Sequence, residues 1–79
     1  MKTTDHFWQQ RVVYPDRVRI PFDRIQAIVA EPLREEVESS GRIRRWGIAP
    51  EVGGRIVRVV LLADGETVHT AFVDGRFRP

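Results

Sequence analysis

The chain of 79 residues contains no cysteine. That absence excludes a disulfide framework, a thiolate metal site and a cysteine nucleophile, and it leaves packing alone to hold the fold. A reducing interior fits. No stretch approaches the roughly 18 to 20 apolar residues of a membrane span, and Lys2 is not followed by an apolar run, so neither signal peptide nor anchor is expected. A cytoplasmic protein without a membrane partner follows. Histidine is scarce as well: His6 and His69 are the only two, 63 positions apart, and with no cysteine beside them they leave only scattered carboxylates to ligate a metal. No metal or other cofactor is expected.

Lysine is nearly missing too, since 12 of the 13 basic residues are arginine. Arginine's planar fork suits phosphate and carboxylate oxygens and keeps its proton near neutral pH, although a genome rich in G and C produces the same bias with no function attached. The net charge of +2 is unevenly spread. Residues 1–40 carry 6 Lys/Arg against 7 Asp/Glu, and residues 41–79 carry 7 against 4, so the halves stand at −1 and +3. A basic groove in the second half is one reading. A chain this short buries only about 60% of the surface it exposes unfolded, which makes residues 1–79 one small domain with its function on the surface or in a shallow groove.

Along the chain, "TTDHFWQQRVVY" predicts a helix capped by Thr3 or Thr4, with Asp5 against the positive end of the dipole and a strand over residues 11–14 as the competing reading. "YPDR" reads as a turn. "PFDRIQAIVAEP" predicts a second helix: Phe22, Ile25, Ile28 and Val29 recur at spacings of three and four, Pro21 suits the first helical position and Pro32 ends the element. From Leu33 onward the period changes to two. "LREEVES", "GRIRRWGI", "GRIVRVVLL" and "ETVHTAFV", separated by short glycine-containing turns, predict four antiparallel strands in a meander. The expected fold is therefore α+β, with two N-terminal helices packed on one face of a four-stranded antiparallel meander.

Asp64-Gly65 between two apolar runs is the strongest hairpin signal and predicts a two-residue type I′ turn. That turn sets Leu61 opposite Val68, Val59 opposite Thr70 and Val57 opposite Phe72 on a core face. The other face then carries Ile56, Arg58, Val60 and Leu62 against Val73, Ala71, His69 and Thr67. Arg58 and His69 should emerge together. The preceding loop is longer, and its centre decides whether Arg45 stands beside Arg58 or whether Trp46 and Arg44 do. In either case two arginines become neighbours, and their repulsion calls for an anion or an acidic partner between them. Glu35, Glu36 and Glu38 of the preceding strand are the carboxylates nearest in sequence, and pairing with them would cancel much of a positive patch.

Two helices on a meander, together with "DHFWQQRV", the helix ending at "AEP", the strand "GRIRRWG" and the closing hairpin "RVVLLADGETVHTAFVDGRF", resemble RelE/ParE-type toxins and related families of small nuclease-like domains. The likeness spans most of the chain and is one of pattern and order. It implies metal-free cleavage of RNA by a ribose 2′-hydroxyl, which needs a base, an acid and cations for the charge growing on the phosphoryl oxygens. On that reading His69 and His6 transfer protons with Arg58 beside them, Arg44, Arg45 and Arg76 hold phosphate, and Trp46 or Phe77 stacks a base. Thr70 is the nearest match to a hydroxyl some members of the superfamily use, although the expected register points it at the core. An antitoxin protein is the implied partner besides RNA. The bland alternatives are an ordinary sheet histidine, a helical surface histidine, arginines paired along a solvated edge and core tryptophans. A second functional reading is a non-catalytic protein-interaction module that receives a partner strand or helix on the same face or at the sheet edge.

Overall fold

A computed structural model describes residues 1–78. The elements in chain order are β1 (Lys2–Thr3), α1 (Asp5–Val13), a 3-10 turn (Pro15–Arg19), α2 (Phe22–Ala30), β2 (Arg34–Val37), β3 (Ile43–Ala49), a short 3-10 turn (Pro50–Val52), β4 (Arg55–Leu61) and β5 (Thr67–Val73). They form an α+β domain with one five-stranded sheet in the order β1-β5-β4-β3-β2. Strands β2 to β5 are paired antiparallel, whereas β1 runs parallel to β5. The expectation of four strands is corrected here. Lys2 and Thr3 are too few to show any period of two. They become a strand because the outer edge of β5 offers unpaired backbone groups, with Lys2 opposite Thr67 and Thr3 opposite Val68.

Thr4 caps α1, its hydroxyl accepting the Phe7 amide at 3.1 Å, and Asp5 stands in the first turn. The helix continues through Val13, so the alternative strand over 11–14 does not form. α2 starts at Phe22, one residue later than expected: Pro21, in extended backbone, is its cap. It buries Ile25 and Ile28 and stops at Ala30, ahead of Pro32. The core joins Phe7, Ile20, Ile25 and Ile28 to Val57, Val59, Leu61, Val68 and Ala71 of the sheet. α2 lies unusually close to β3, where a Cβ on Gly47 would come within 2.6 Å of Ile28 Cγ1. Glycine is required there by space.

The hairpin between β4 and β5 departs from the expected geometry in two ways. Among the described residues only glycines have positive φ, so Asp64 does not adopt the left-handed conformation that a type I′ turn demands. Instead residues 63–66 form a four-residue loop, closed by Leu62 N–H to Thr67 O at 2.9 Å and Gly65 N–H to Leu62 O at 3.0 Å. The Asp64 carboxylate takes the Thr67 hydroxyl at 2.6 Å and the amides of Glu66 and Thr67, and these bonds pull its pKa down to about 2.

The second departure changes the faces. Leu61 does pair with Val68, but Val60 then pairs with Thr70, leaving His69 as the extra residue of a bulge. Beyond it Val59 pairs with Ala71, Arg58 with Phe72 and Val57 with Val73. The expectation that Arg58 and His69 emerge together from neighbouring rungs of one face is corrected here, because His69 occupies no rung and Arg58 lies opposite Phe72 rather than Ala71. One inserted residue reverses the alternation, so Ala71 joins the core while Thr70 and Phe72 accompany Arg58 on the opposite face.

Candidate active site

His69 is freed from a rung of the sheet by the bulge, and it meets the start of α1. Its ring stacks on that of His6, with centroids 4.3 Å apart and planes inclined by 13°. Its Nδ1 lies 3.1 Å from Thr4 Oγ1, the same hydroxyl that caps the helix. In the tautomer whose Nδ1–H donates to Thr4, the Nε2 lone pair is left for a substrate proton. Burial, then the neighbouring His6 and Arg42, push the His69 imidazole below its ordinary value of 6.5, which favours the neutral ring. His6 is exposed. The next residue, Thr70, accepts a hydrogen bond from Arg17 Nη1 at 3.2 Å, and the same nitrogen donates to Gln10 Oε1 at 3.0 Å. Thr70 therefore faces away from the core, contrary to the expected register.

Arg58 belongs to a separate cluster. Its Nε and Nη2 both donate to Asp74 Oδ2, at 3.0 and 2.8 Å, and the Trp46 indole N–H reaches the same oxygen at 2.9 Å. The Arg76 amide holds Oδ1 at 3.0 Å. The guanidinium also lies over the rings of Phe72 and Trp46, 5.1 and 5.6 Å from their centroids. Burial works to raise the Asp74 pKa, but the hydrogen bonds from Trp46, Arg58 and the Arg76 amide outweigh it and hold the carboxyl below its ordinary range. Trp46 is 4% exposed and packs on Phe77 at 5.2 Å, so it has no open face for a base. Its burial follows from the shared Asp74 and the cover of Phe77.

Of the two registers left open for β3, the structure adopts the one with Trp46 opposite Arg58 and Arg44 on the same face. The acidic partner called for between neighbouring arginines is Asp74, within the chain itself. Arg44 pairs with Glu38 at 3.0 Å and Arg34 with Glu36 at 2.8 Å. Arg45 points to the helix side, where it pairs with Glu35 at 2.9 Å and donates to Val29 O at the end of α2. The side chains of Arg76 and Phe77 line a shallow groove of about 250 Å³ beside Trp46 and Arg58.

The structure thus brings His6 and His69 together and sets Arg58, Arg44, Trp46 and Arg76 around Asp74. Three contributors escaped the sequence reading. Thr4 was visible only as a cap, Arg17 only as part of the turn "YPDR", and Asp74 only as a residue before glycine. Among the described residues no group of three or more His, Cys, Asp and Glu side chains is gathered to hold a metal ion. No helix among them is long and apolar enough to cross a membrane. No family model, curated protein or solved structure matches the chain.

Proposed function

We propose that this chain is a cytoplasmic, RelE-like toxin-type domain that cuts RNA without a metal ion, with His6 and His69 as the proton-transfer pair. The observation that carries the reading is the contact between the only two imidazoles of the chain, 63 residues apart in sequence and 4.3 Å apart in space. His69, as the neutral ring, takes the proton of the 2′-hydroxyl at Nε2, and His6, the exposed ring, returns a proton to the leaving 5′-oxygen. Arg17, whose Nη1 is anchored by Gln10 and Thr70, offers its remaining N–H groups to the phosphoryl oxygens. Arg58 has no substrate role in this scheme because Asp74 occupies it.

The test is cleavage of a single-stranded RNA in excess chelator by the full chain and by His69→Ala and His6→Ala. Each substitution should lower the rate by about 10² or more, the usual contribution of one general acid or base, while far-UV circular dichroism stays unchanged. Cutting at the parental rate by both folded variants removes the histidines from the mechanism.

A second reading, a non-catalytic interaction module, is favoured by a different observation. Arg34, Arg44, Arg45 and Arg58 are all paired with carboxylates of the same chain, whereas β2 closes the sheet as an edge strand with all four residues exposed. On this reading an extended segment of a partner adds to β2, and no RNA is turned over.

A further inference from the structure

A second basic surface lies on the other side of Arg17. Tyr14, Asp16, Arg17, Arg19, Arg55 and Phe72 are among the residues lining an open groove of about 420 Å³. Three guanidinium groups and one carboxylate leave these side chains at +2. None of the three arginines is in a salt bridge among the described residues, in contrast to the arginines around Asp74 and the acidic strand β2.

The forks are partly held and partly open. Arg17 uses Nη1 on Gln10 and Thr70, and its guanidinium carbon lies 4.5 Å from the Tyr14 ring centroid and 5.2 Å from that of Phe72. Two rings and two hydrogen bonds fix its plane, and Nε and Nη2 make no hydrogen bond within the described chain. Burial lowers the Arg17 pKa, a cost of desolvation that a bound phosphate would offset. Arg55 spends only Nε, on Val52 O at 2.8 Å, and Arg19 is exposed with no partner among the described residues. Tyr14 is 50% exposed, which leaves ring surface at the mouth of the groove.

We propose that this groove binds the nucleotide flanking the cleaved bond of a single-stranded RNA, its phosphate held by Arg19 and Arg55 and its base laid against Tyr14. The inference rests on the endonuclease reading for its substrate, and Arg17 is the link, since it touches Thr70, the neighbour of His69. Open arginine forks beside an exposed aromatic ring suit a phosphate and a base together, and the groove has the size of an ordinary small-ligand pocket.

The probe is a fluorescently labelled single-stranded RNA oligonucleotide carrying 2′-O-methyl groups, which cannot be cleaved, read by anisotropy against the full chain over a salt series. Arg19→Ala with Arg55→Ala should weaken binding at least about tenfold, from the loss of two charged hydrogen-bonding partners. The salt slope should also flatten by about 0.7, the share of the one phosphate that the two arginines hold. Arg19→Ala alone, which removes no side-chain hydrogen bond or ion pair among the described residues, should give part of the same loss. Parental affinity in the double variant, or absence of salt-dependent binding by the parent, overturns the groove. Cleavage of unmodified RNA is a separate readout. Binding that depends on Arg19 and Arg55 without any cutting upholds the groove and refutes the endonuclease, whereas cutting with unaltered binding in the double variant does the reverse.

Discussion

Four donors converge on Asp74: the Trp46 indole, two nitrogens of Arg58 and the Arg76 amide. A carboxylate side chain only 6% exposed is stable as an anion because those donors replace the water it has lost. Removing it in Asp74→Ala strands the indole N–H and the guanidinium together. A fully buried pair broken in this way costs about 3–5 kcal/mol, and since Arg58 keeps 26% of its side chain exposed the expected loss is about 2 kcal/mol. Urea denaturation at pH 7 measures it. The pH dependence has a definite sign. Because the folded carboxyl lies below its ordinary value of 3.8, its contribution is complete above that value and is lost as pH falls through the folded value. The gap in stability between the parent and Asp74→Ala should accordingly narrow below pH 3.8. A gap that is constant down to acid unfolding would show that charge plays no part.

Between elements, α2 comes close to β3 at Gly47 and Ile28. A methyl group on Gly47 would sit 2.6 Å from Cγ1 and 3.3 Å from Cβ of Ile28, atoms too near the backbone to swing aside. Gly47→Ala should cost about 1–3 kcal/mol by overpacking, and Ile28→Ala should cost about 2–5 kcal/mol by leaving a cavity. In the double variant the new methyl occupies part of that cavity, so its loss should fall short of the sum. Thermal or urea denaturation of the three variants closes the cycle, and simple additivity would show that the two residues do not share the space. This contact also marks the limit of legibility in the sequence. The period of Phe22, Ile25, Ile28 and Val29 announced α2 and its buried side. Gly47 looked like any strand glycine, because nothing near it in the chain says that a helix lies above. The bulge was hidden for the same reason: His69 fits an unbroken alternation locally, and its displacement is tied to His6 and Thr4 at the far end of the chain.

At the scale of the whole molecule, both helices and the central strands share one continuous core, from Phe7 and Ile20 through Ile25 and Ile28 to Val57, Val59 and Val68. No part of it can be withdrawn without exposing the rest, so unfolding should be a single cooperative transition. The two tryptophans test this from different places. Trp8 lies in α1, 48% exposed and bonded to Thr3 of β1 at 2.9 Å, while Trp46 is buried on the side of the sheet that carries Arg58. Fluorescence of Trp8→Phe and of Trp46→Phe should follow far-UV circular dichroism through the same urea midpoint, once each variant is compared with its own dichroism curve. Separated midpoints within either variant would divide the domain.

What the sequence by itself determined was local: a cap at Thr3 or Thr4, the apolar stripe of α2, the breaks at prolines, the alternating strands and the reversal at Asp64-Gly65. Each depends on residues within a turn or two of one another. The tertiary structure alone decided which groups meet. It added β1 to an open edge, shifted the register at His69, drew His6 onto that ring, gave Arg58 to Asp74 and left Arg17, Arg19 and Arg55 around a groove. Those outcomes turn on contacts between distant segments, where one inserted residue is enough to send every later side chain to the other face of the sheet.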